Sequence, residues 1–130
     1  MLTPHAGELG RLLGVDSKDV ATHRLAMARE AAAKARAFVV LKGDDTLVVS
    51  PNGTAAISRG KAPGLATAGT GDVLSGIIGA MLAKGLPAAH AACAAVYAHV
   101  RAGQIAAGPH GADGVIASDV IHSLPAALSA

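Results

Sequence analysis

The stretch Thr67-Ala68-Gly69-Thr70-Gly71-Asp72-Val73-Leu74-Ser75-Gly76 constrains this chain more than any other. Two glycines and a threonine lead into an acidic residue, and a long apolar pattern follows at once. Leu74, Ile77, Ile78, Met81 and Leu82 recur at three- and four-residue spacing, which is the period of one helix face. The chain must therefore turn tightly and open a helix from about Gly71. Backbone N–H groups and the positive end of the helix dipole then point at one spot, which suits a phosphate or a developing anion. Asp72 falls in the first helical turn, where a carboxylate is favoured and can also accept a proton. An anion hole beside a base is an arrangement for phosphoryl transfer.

The remaining pattern alternates helix and strand. Residues 6–13 read as a short helix that Gly14 ends, with Pro4 suited to the first helical position. Asp16 or Ser17 caps a second helix running to about Arg36, rich in Ala, Arg, Lys and Glu. Phe38-Val39-Val40-Leu41 is an apolar run of strand length, as in a strand covered on both faces. Lys42-Gly43-Asp44-Asp45 is a turn. Residues 46–50 and 54–58 flank Pro51-Asn52-Gly53 as a hairpin. A loop over residues 59–68 precedes the glycine segment. A second apolar helix spans residues 87–107 after a break at Gly85, and residues 108–114 form a loop. Ser118 or Asp119 caps a short last helix. Gly76 and Gly79 lower helix propensity, so close packing against another backbone is expected there. No repeat and no linker interrupts the 130 residues, so they read as one unit of an α/β layered fold.

Composition excludes several classes. Aromatic residues make up 2% of the chain, too few for base-stacking platforms, and the net charge is only +2. The cluster Arg24, Arg29, Lys34, Arg36 shares its helical stretch with Glu30 and reads as a solvated face, so no nucleic-acid partner is expected. The longest apolar run, residues 73–83, is shorter than the roughly 20 residues a membrane span needs. The first residues have no basic and apolar leader pattern, so a cytoplasmic location without membrane association is expected. Cys93 lies in an Ala-rich stretch and reads as a small buried residue. His23, His90, His99, His110 and His122 have no metal-ligand spacing and read as structural or surface residues.

Four segments remain: Thr3-Pro4-His5-Ala6-Gly7-Glu8, Leu41-Lys42-Gly43-Asp44-Asp45-Thr46, Asn52-Gly53 and Ala68-Gly69-Thr70-Gly71-Asp72. Singly, each has a plain structural reading. The last is a helix start, His5 a turn residue, and Glu8 a partner of the helix dipole. Lys42 is a solvated lysine, Thr46 a strand start and Asn52-Gly53 a turn. Their joint occurrence in order raises the functional reading above these.

In that order the chain resembles the ADP-dependent NAD(P)H-hydrate dehydratases of the ribokinase-like superfamily. Their Pro-His-x-Gly-Glu, Lys-Gly-x-x-Thr and Ala-Gly-Thr-Gly-Asp-Val-Leu-x-Gly segments match residues 4–8, 42–46 and 68–76. The last segment is shared by many related kinases, which often carry Asn where this chain has His5. The resemblance implies a ribokinase-like layered fold, of which these residues form the C-terminal half, with an incomplete, mostly parallel sheet flanked by helices. It implies that Asp72 acts on the substrate hydroxyl and that His5 and Asp72 contact the hydrated nicotinamide nucleotide. Lys42, Gly43, Asp44, Asp45, Thr46, Gly69, Thr70 and Gly71 would hold the adenine nucleotide, ADP or ATP. Mg²⁺ would accompany it, with Glu8 as a candidate ligand. The implied reaction converts the S-epimer of hydrated NADH or NADPH back to NADH or NADPH, releasing AMP and phosphate. A homo-oligomer is implied for the full-length protein.

A C-terminal half would leave an unpaired sheet edge and an uncovered apolar face, so weak or no activity is expected of these 130 residues alone. Two other functions fit the same residues. One is a vitamin-precursor kinase of the hydroxymethylpyrimidine or hydroxyethylthiazole type, which would use Asp72 and stop at the phosphate ester. The other is a non-catalytic nucleotide-binding fragment, in which Asp72→Asn would change nothing measurable.

Overall fold

A computed structural model describes residues 1–129; residue 130 and the side chain of His110 lie outside them. The backbone divides into two compact units, Met1–Arg59 and Gly60–Ala130. No helix among the described residues is long and apolar enough to cross a membrane.

In the first unit, helix α1 spans Ala6–Leu13, with His5 as its N-cap and Gly14 closing it in the left-handed region at φ 71°. Pro4 does not occupy the first helical position. It precedes the cap, and its carbonyl accepts the Lys42 N–H at 2.9 Å, which ties the helix entry to the end of the first strand. The helix expected to reach Arg36 is broken at His23 into α2, Ser17–Thr22, and α3, Arg24–Ala35. Asp16 caps α2 by accepting the Lys18 N–H at 2.8 Å. The break follows from Thr22, whose hydroxyl donates back to the Lys18 carbonyl at 2.9 Å, a bond that bends helices.

Strands β1 (Val39–Leu41), β2 (Leu47–Val49) and β3 (Ala55–Ile57) form one sheet in that order. Both pairings are antiparallel, with Val40 opposite Val48 and Val48 opposite Ala56. This corrects the expected mostly parallel sheet. The parallel partner of β1 is the segment of residues 2–4, where the Leu2 N–H donates to Phe38, the Val40 N–H to Leu2 and the Lys42 N–H to Pro4 around the Leu2–Val39 bridge. The reason is connection length: residues 42–46 and 50–54 are hairpin loops, and a parallel crossover needs a dozen or more residues. Asn52 shapes the second loop, its side-chain oxygen accepting the Thr54 N–H at 3.1 Å.

Strands β1 and β2 are buried at every residue, as the continuous apolar run demands. Val39, Leu41, Leu47 and Val49 pack with Leu9, Val20, Ala28, Ala31 and Ala32. The three alanines present so little side chain that α3 lies close to the sheet. Each fully buried Val or Leu stabilises this unit by about 1.5–3 kcal/mol relative to exposure.

The second unit is helical: α4 spans Thr70–Ala83, α5 Ala88–His110 and α6 Ala117–Leu128, with short 3₁₀ turns at Pro63–Ala66 and Ala112–Gly114. Helix α5 takes in the start of the loop expected from residue 108. Pro109 removes one N–H without ending the last turn, and the Gly111 N–H still returns to Ala107 at 2.9 Å. The cap of α6 is Ile116, and Asp119 works from the third helical position by accepting the Ile116 N–H at 3.0 Å. Ala91, Ala95, Ala98, Ala102 and Ala106 form the buried stripe of α5. Ala102 and Ala106 pack with Val115, Val120 and Ala127.

Three readings change here. Gly76 and Gly79 meet no other backbone among the described residues; a Cβ on either would have nothing within 4 Å. Leu82 is 38% exposed, leaving Leu74, Ile77 and Ile78 as the buried face of α4. Cys93 is exposed because it lies off the alanine stripe of α5, although partial desolvation still pushes its thiol above the ordinary range.

Candidate functional site

The candidate residues fall into two groups, one in each unit. In the first unit the fold brings together His5, Glu8 and Lys42. His5 caps α1 through its ring, where Nδ1 accepts the Glu8 N–H at 3.2 Å. The Glu8 carboxylate returns to the His5 N–H at 2.8 Å, a reciprocal capping box. With Nδ1 accepting, a neutral ring carries its proton on Nε2, and that nitrogen lies 3.6 Å from Glu8 Oε1. Lys42 Nζ lies 3.6 Å from Glu8 Oε2.

The His5 N–H holds the Glu8 carboxyl below its ordinary value of 4.5; desolvation opposes it, and Lys42 and the His5 ring add smaller pulls in the lowering direction. A depressed carboxyl stabilises the fold above its unfolded value, and that contribution disappears as pH falls through the folded one. Glu8→Gln is therefore expected to flatten the thermal-stability profile below about pH 4.5 and leave its neutral region nearly level. A set of melting curves across acid pH checks this.

Residues 42–46 leave β1 as a loop in which the Thr46 hydroxyl donates to the Gly43 carbonyl at 3.2 Å and the Thr46 carbonyl accepts the Ser58 N–H at 2.9 Å. Asp44 and Asp45 belong to the same loop.

In the second unit the glycine segment forms the start of α4. Gly69 is the N-cap at φ 87°, a conformation that a side chain strains. Its carbonyl accepts the Asp72 N–H at 3.1 Å and the Val73 N–H at 3.2 Å. Gly71 stands at the second helical position, among the donors that a helix start leaves without an intrahelical acceptor. Thr70 differs from its neighbours. It is buried, its hydroxyl faces the Leu65 carbonyl at 2.6 Å and the Thr67 carbonyl at 2.8 Å, and its N–H lies 3.4 Å from Thr67. Its side chain frames the loop from inside.

Gly69 and Asp72 edge a cavity of about 610 Å³ between α4 and α6. Val73, Ile77, Met81, Ile121 and Leu124 make most of its wall apolar, and Lys84 lies at its far end. An exposed carboxylate at the polar end of an apolar cleft is placed to meet a ligand with a polar reacting group. Gly69→Ala is expected to destabilise the protein by about 1–2 kcal/mol through left-handed strain. The added methyl would also meet the Ala117 Cβ at 3.2 Å. Chemical denaturation measures the loss.

His99 is the site-region residue whose part the sequence reading left unspecified. It is 7% exposed, and its Nε2 lies 2.8 Å from the Thr70 carbonyl. Burial holds its ring below the ordinary value of 6.5, against the opposing hydrogen bond, so it is a neutral donor to the start of α4. The signal was present in the spacing: Ala95, His99, Ala102 and Ala106 follow one another at helical intervals on the buried stripe.

Among the described residues no group of three or more His, Cys, Asp or Glu side chains is placed to hold a metal ion. Glu8 is one carboxylate already facing a lysine, which does not make a protein-built cation cage. Mg²⁺ bound by few protein ligands and mainly by substrate phosphates is the form compatible with this donor set.

The architecture places the chain in a class. It superimposes with a TM-score of 0.78 and 29% identity on a ribokinase-like superfamily protein of Enterococcus faecalis, covering 98% of this chain and 43% of that one. The fold is α/β and ribokinase-like. Within that class the chain belongs to the Carb_kinase family, NAD(P)H-hydrate dehydratase, whose profile matches residues 1–126. The solved ADP/ATP-dependent NAD(P)H-hydrate dehydratase of Bacillus subtilis, co-crystallised with ATP/Mg²⁺ and soaked with CoA, gives a TM-score of 0.92 at 32% identity over 98% of this chain and 48% of its own. The ADP-dependent (S)-NAD(P)H-hydrate dehydratase of Neisseria meningitidis is 47% identical over 105 residues, 81% of this chain and 36% of that protein. The chain thus spans less than half the length of these relatives.

Proposed function

We propose that this chain carries part of the machinery for ADP-dependent dehydration of the S-epimer of hydrated NADH or NADPH. The observation that carries this reading is Asp72 at the mouth of the α4–α6 cavity, beside the Gly69–Gly71 backbone at a helix start. In the reaction Asp72 takes the proton of the substrate hydroxyl as its oxygen attacks the β-phosphorus of ADP, and AMP leaves. Hydroxide is a poor leaving group and phosphate a good one. The phosphate ester then breaks at its carbon–oxygen bond while the neighbouring carbon loses a proton, restoring the double bond of the dihydronicotinamide. The Gly71 N–H and the α4 dipole stabilise charge on the transferred group, an effect worth about 3 kcal/mol per well-placed donor.

Residues 42–46 hold the nucleotide, with Gly43, Asp44, Asp45 and Thr46 contributing backbone and Lys42 a charge. His5 presents Nε2 to the nicotinamide nucleotide, while Glu8 orients His5 and Lys42. Gly69 and Gly71 allow close backbone approach, and Thr70 keeps the loop in shape. Mg²⁺ supplies charge neutralisation when bound with the phosphates. We further read residues 1–130 as the C-terminal part of one domain, in a cytoplasmic protein that forms homo-oligomers at full length.

The test supplies ADP with hydrated NADH and, separately, ATP with hydroxymethylpyrimidine or a thiazole alcohol. NADH absorbance returning only in the first mixture supports the dehydratase. A stable phosphate ester in the second, with no NADH in the first, overturns it in favour of the kinase. The 130-residue chain alone is expected to turn over weakly or not at all, and turnover equal to the full-length protein would contradict its reading as a part.

A further inference from the structure

We infer that Arg24 is a positioning residue for the loop of residues 42–46, turning its backbone so that the amide groups face an anion. This inference rests on the nucleotide-binding role proposed for that loop.

The Arg24 guanidinium lies against the loop and donates to two of its carbonyls and to that of Leu41, the last residue of β1. Nη2 reaches Asp45 at 3.0 Å, Leu41 at 3.3 Å and Lys42 at 3.4 Å, and Nη1 reaches Lys42 at 3.4 Å. The contact is close enough to dictate sequence. A Cβ on residue 43 would stand 2.7 Å from Nη2 and 2.8 Å from Nη1, so a side chain there would push the guanidinium from its present place. The Thr46 hydroxyl engages the remaining carbonyl of this set, Gly43, at 3.2 Å.

The consequence is a polarised loop. The carbonyl groups of residues 41, 42, 43, 45 and 46 all accept hydrogen bonds from this chain. Among the described residues, no backbone hydrogen bond has an amide of residues 43–46 as its donor. The Leu41, Lys42 and Asp45 carbonyl oxygens are thus drawn to a half-buried cation while the N–H groups of residues 43–46 remain available, the arrangement by which backbone binds phosphate. Asp44 and Asp45 bring two negative charges to the same loop, and Lys42 and Arg24 offset them. The ligand that fits is the phosphate chain of a nucleoside diphosphate. Arg24 acts through the loop, and its planar fork suits the task because one lysine ammonium cannot span three carbonyls in a fixed plane.

The experiment measures KM for ADP and kcat in the full-length protein for wild type, Arg24→Ala and Arg24→Lys, with circular dichroism to confirm folding. Both variants are expected to raise KM for ADP by roughly 10- to 100-fold with kcat within about threefold, the effect of losing charge-assisted hydrogen bonds. Guanidinium ion at non-denaturing concentration is expected to restore part of the loss in Arg24→Ala and none in wild type. Unchanged KM in a folded variant overturns the inference, as does a KM fully retained by Arg24→Lys if the alanine variant does not fold. A wild-type protein that shows no ADP-dependent turnover refutes the functional reading itself, a separate outcome.

Discussion

Asp72→Asn is expected to lower the turnover of hydrated NADH by about 10²- to 10⁴-fold, the range that a positioned general base contributes. The side chain keeps its size and its place in the first turn of α4, at the mouth of the apolar cavity. In the proposed reaction, what it loses is the ability to take the hydroxyl proton as the oxygen attacks phosphorus. Nucleotide affinity is expected to stay within a few-fold of wild type, because the amides at the start of α4 and the loop of residues 42–46 remain in place. The favourable interaction of a carboxylate with the helix N-terminus also disappears, a stability loss of about 0.3–1 kcal/mol that cannot account for the rate. Steady-state kinetics with ADP and hydrated NADH, beside nucleotide binding by calorimetry, separate the two effects. If the asparagine enzyme keeps wild-type turnover, Asp72 is a helix-start residue and nothing more.

His99→Ala is expected to destabilise the protein by about 3 kcal/mol, combining a lost hydrogen bond with a cavity in a packed helix stripe. Nothing else on the alanine face of α5 reaches the Thr70 carbonyl, since Ala95 and Ala102 flank His99 with methyl groups. Wild type should also lose stability as pH falls below about 6.5, the ordinary value for histidine. The sign follows from burial: the folded ring resists protonation, so the unfolded chain binds the extra proton and is favoured in acid. His99→Gln keeps a donor of similar reach and removes the titration. It should therefore be more stable than the alanine variant and show a flatter profile between pH 6.5 and the lowered folded value. Urea denaturation at several pH values measures both. Equal stability of the alanine variant and wild type would remove His99 from the support of the α4 start.

Several elements were legible because local chemistry decides them. Helix α1 runs between a reciprocal cap and a left-handed glycine, both of which are written in residues 5–14. Asn52-Gly53 makes its turn through an Asx hydrogen bond that needs no distant partner. The glycine segment opens α4 because Gly69 tolerates φ 87° and Asp72 suits the first turn. Continuous apolar residues at 39–41 announced a strand buried on both faces.

Other features depended on contacts between segments distant in sequence. The sheet is antiparallel because two short loops decide strand direction, while the apolar run of β1 fits either sense. His99 is a buried donor only because α5 crosses the start of α4, twenty-nine residues away in sequence. Arg24 belongs to an exposed-looking basic helix in the sequence, and folding lays it beneath the backbone of residues 41–45.

The sequence by itself determined where the chain turns, which helix starts from a glycine loop, and which family those motifs belong to, because caps, glycine conformations and short motifs act within a few residues. Tertiary structure decided strand direction, the Arg24 clamp, the His99 brace and the cavity beside Asp72. Those features are contacts across long sequence separations, and only packing brings the partner groups within hydrogen-bond reach.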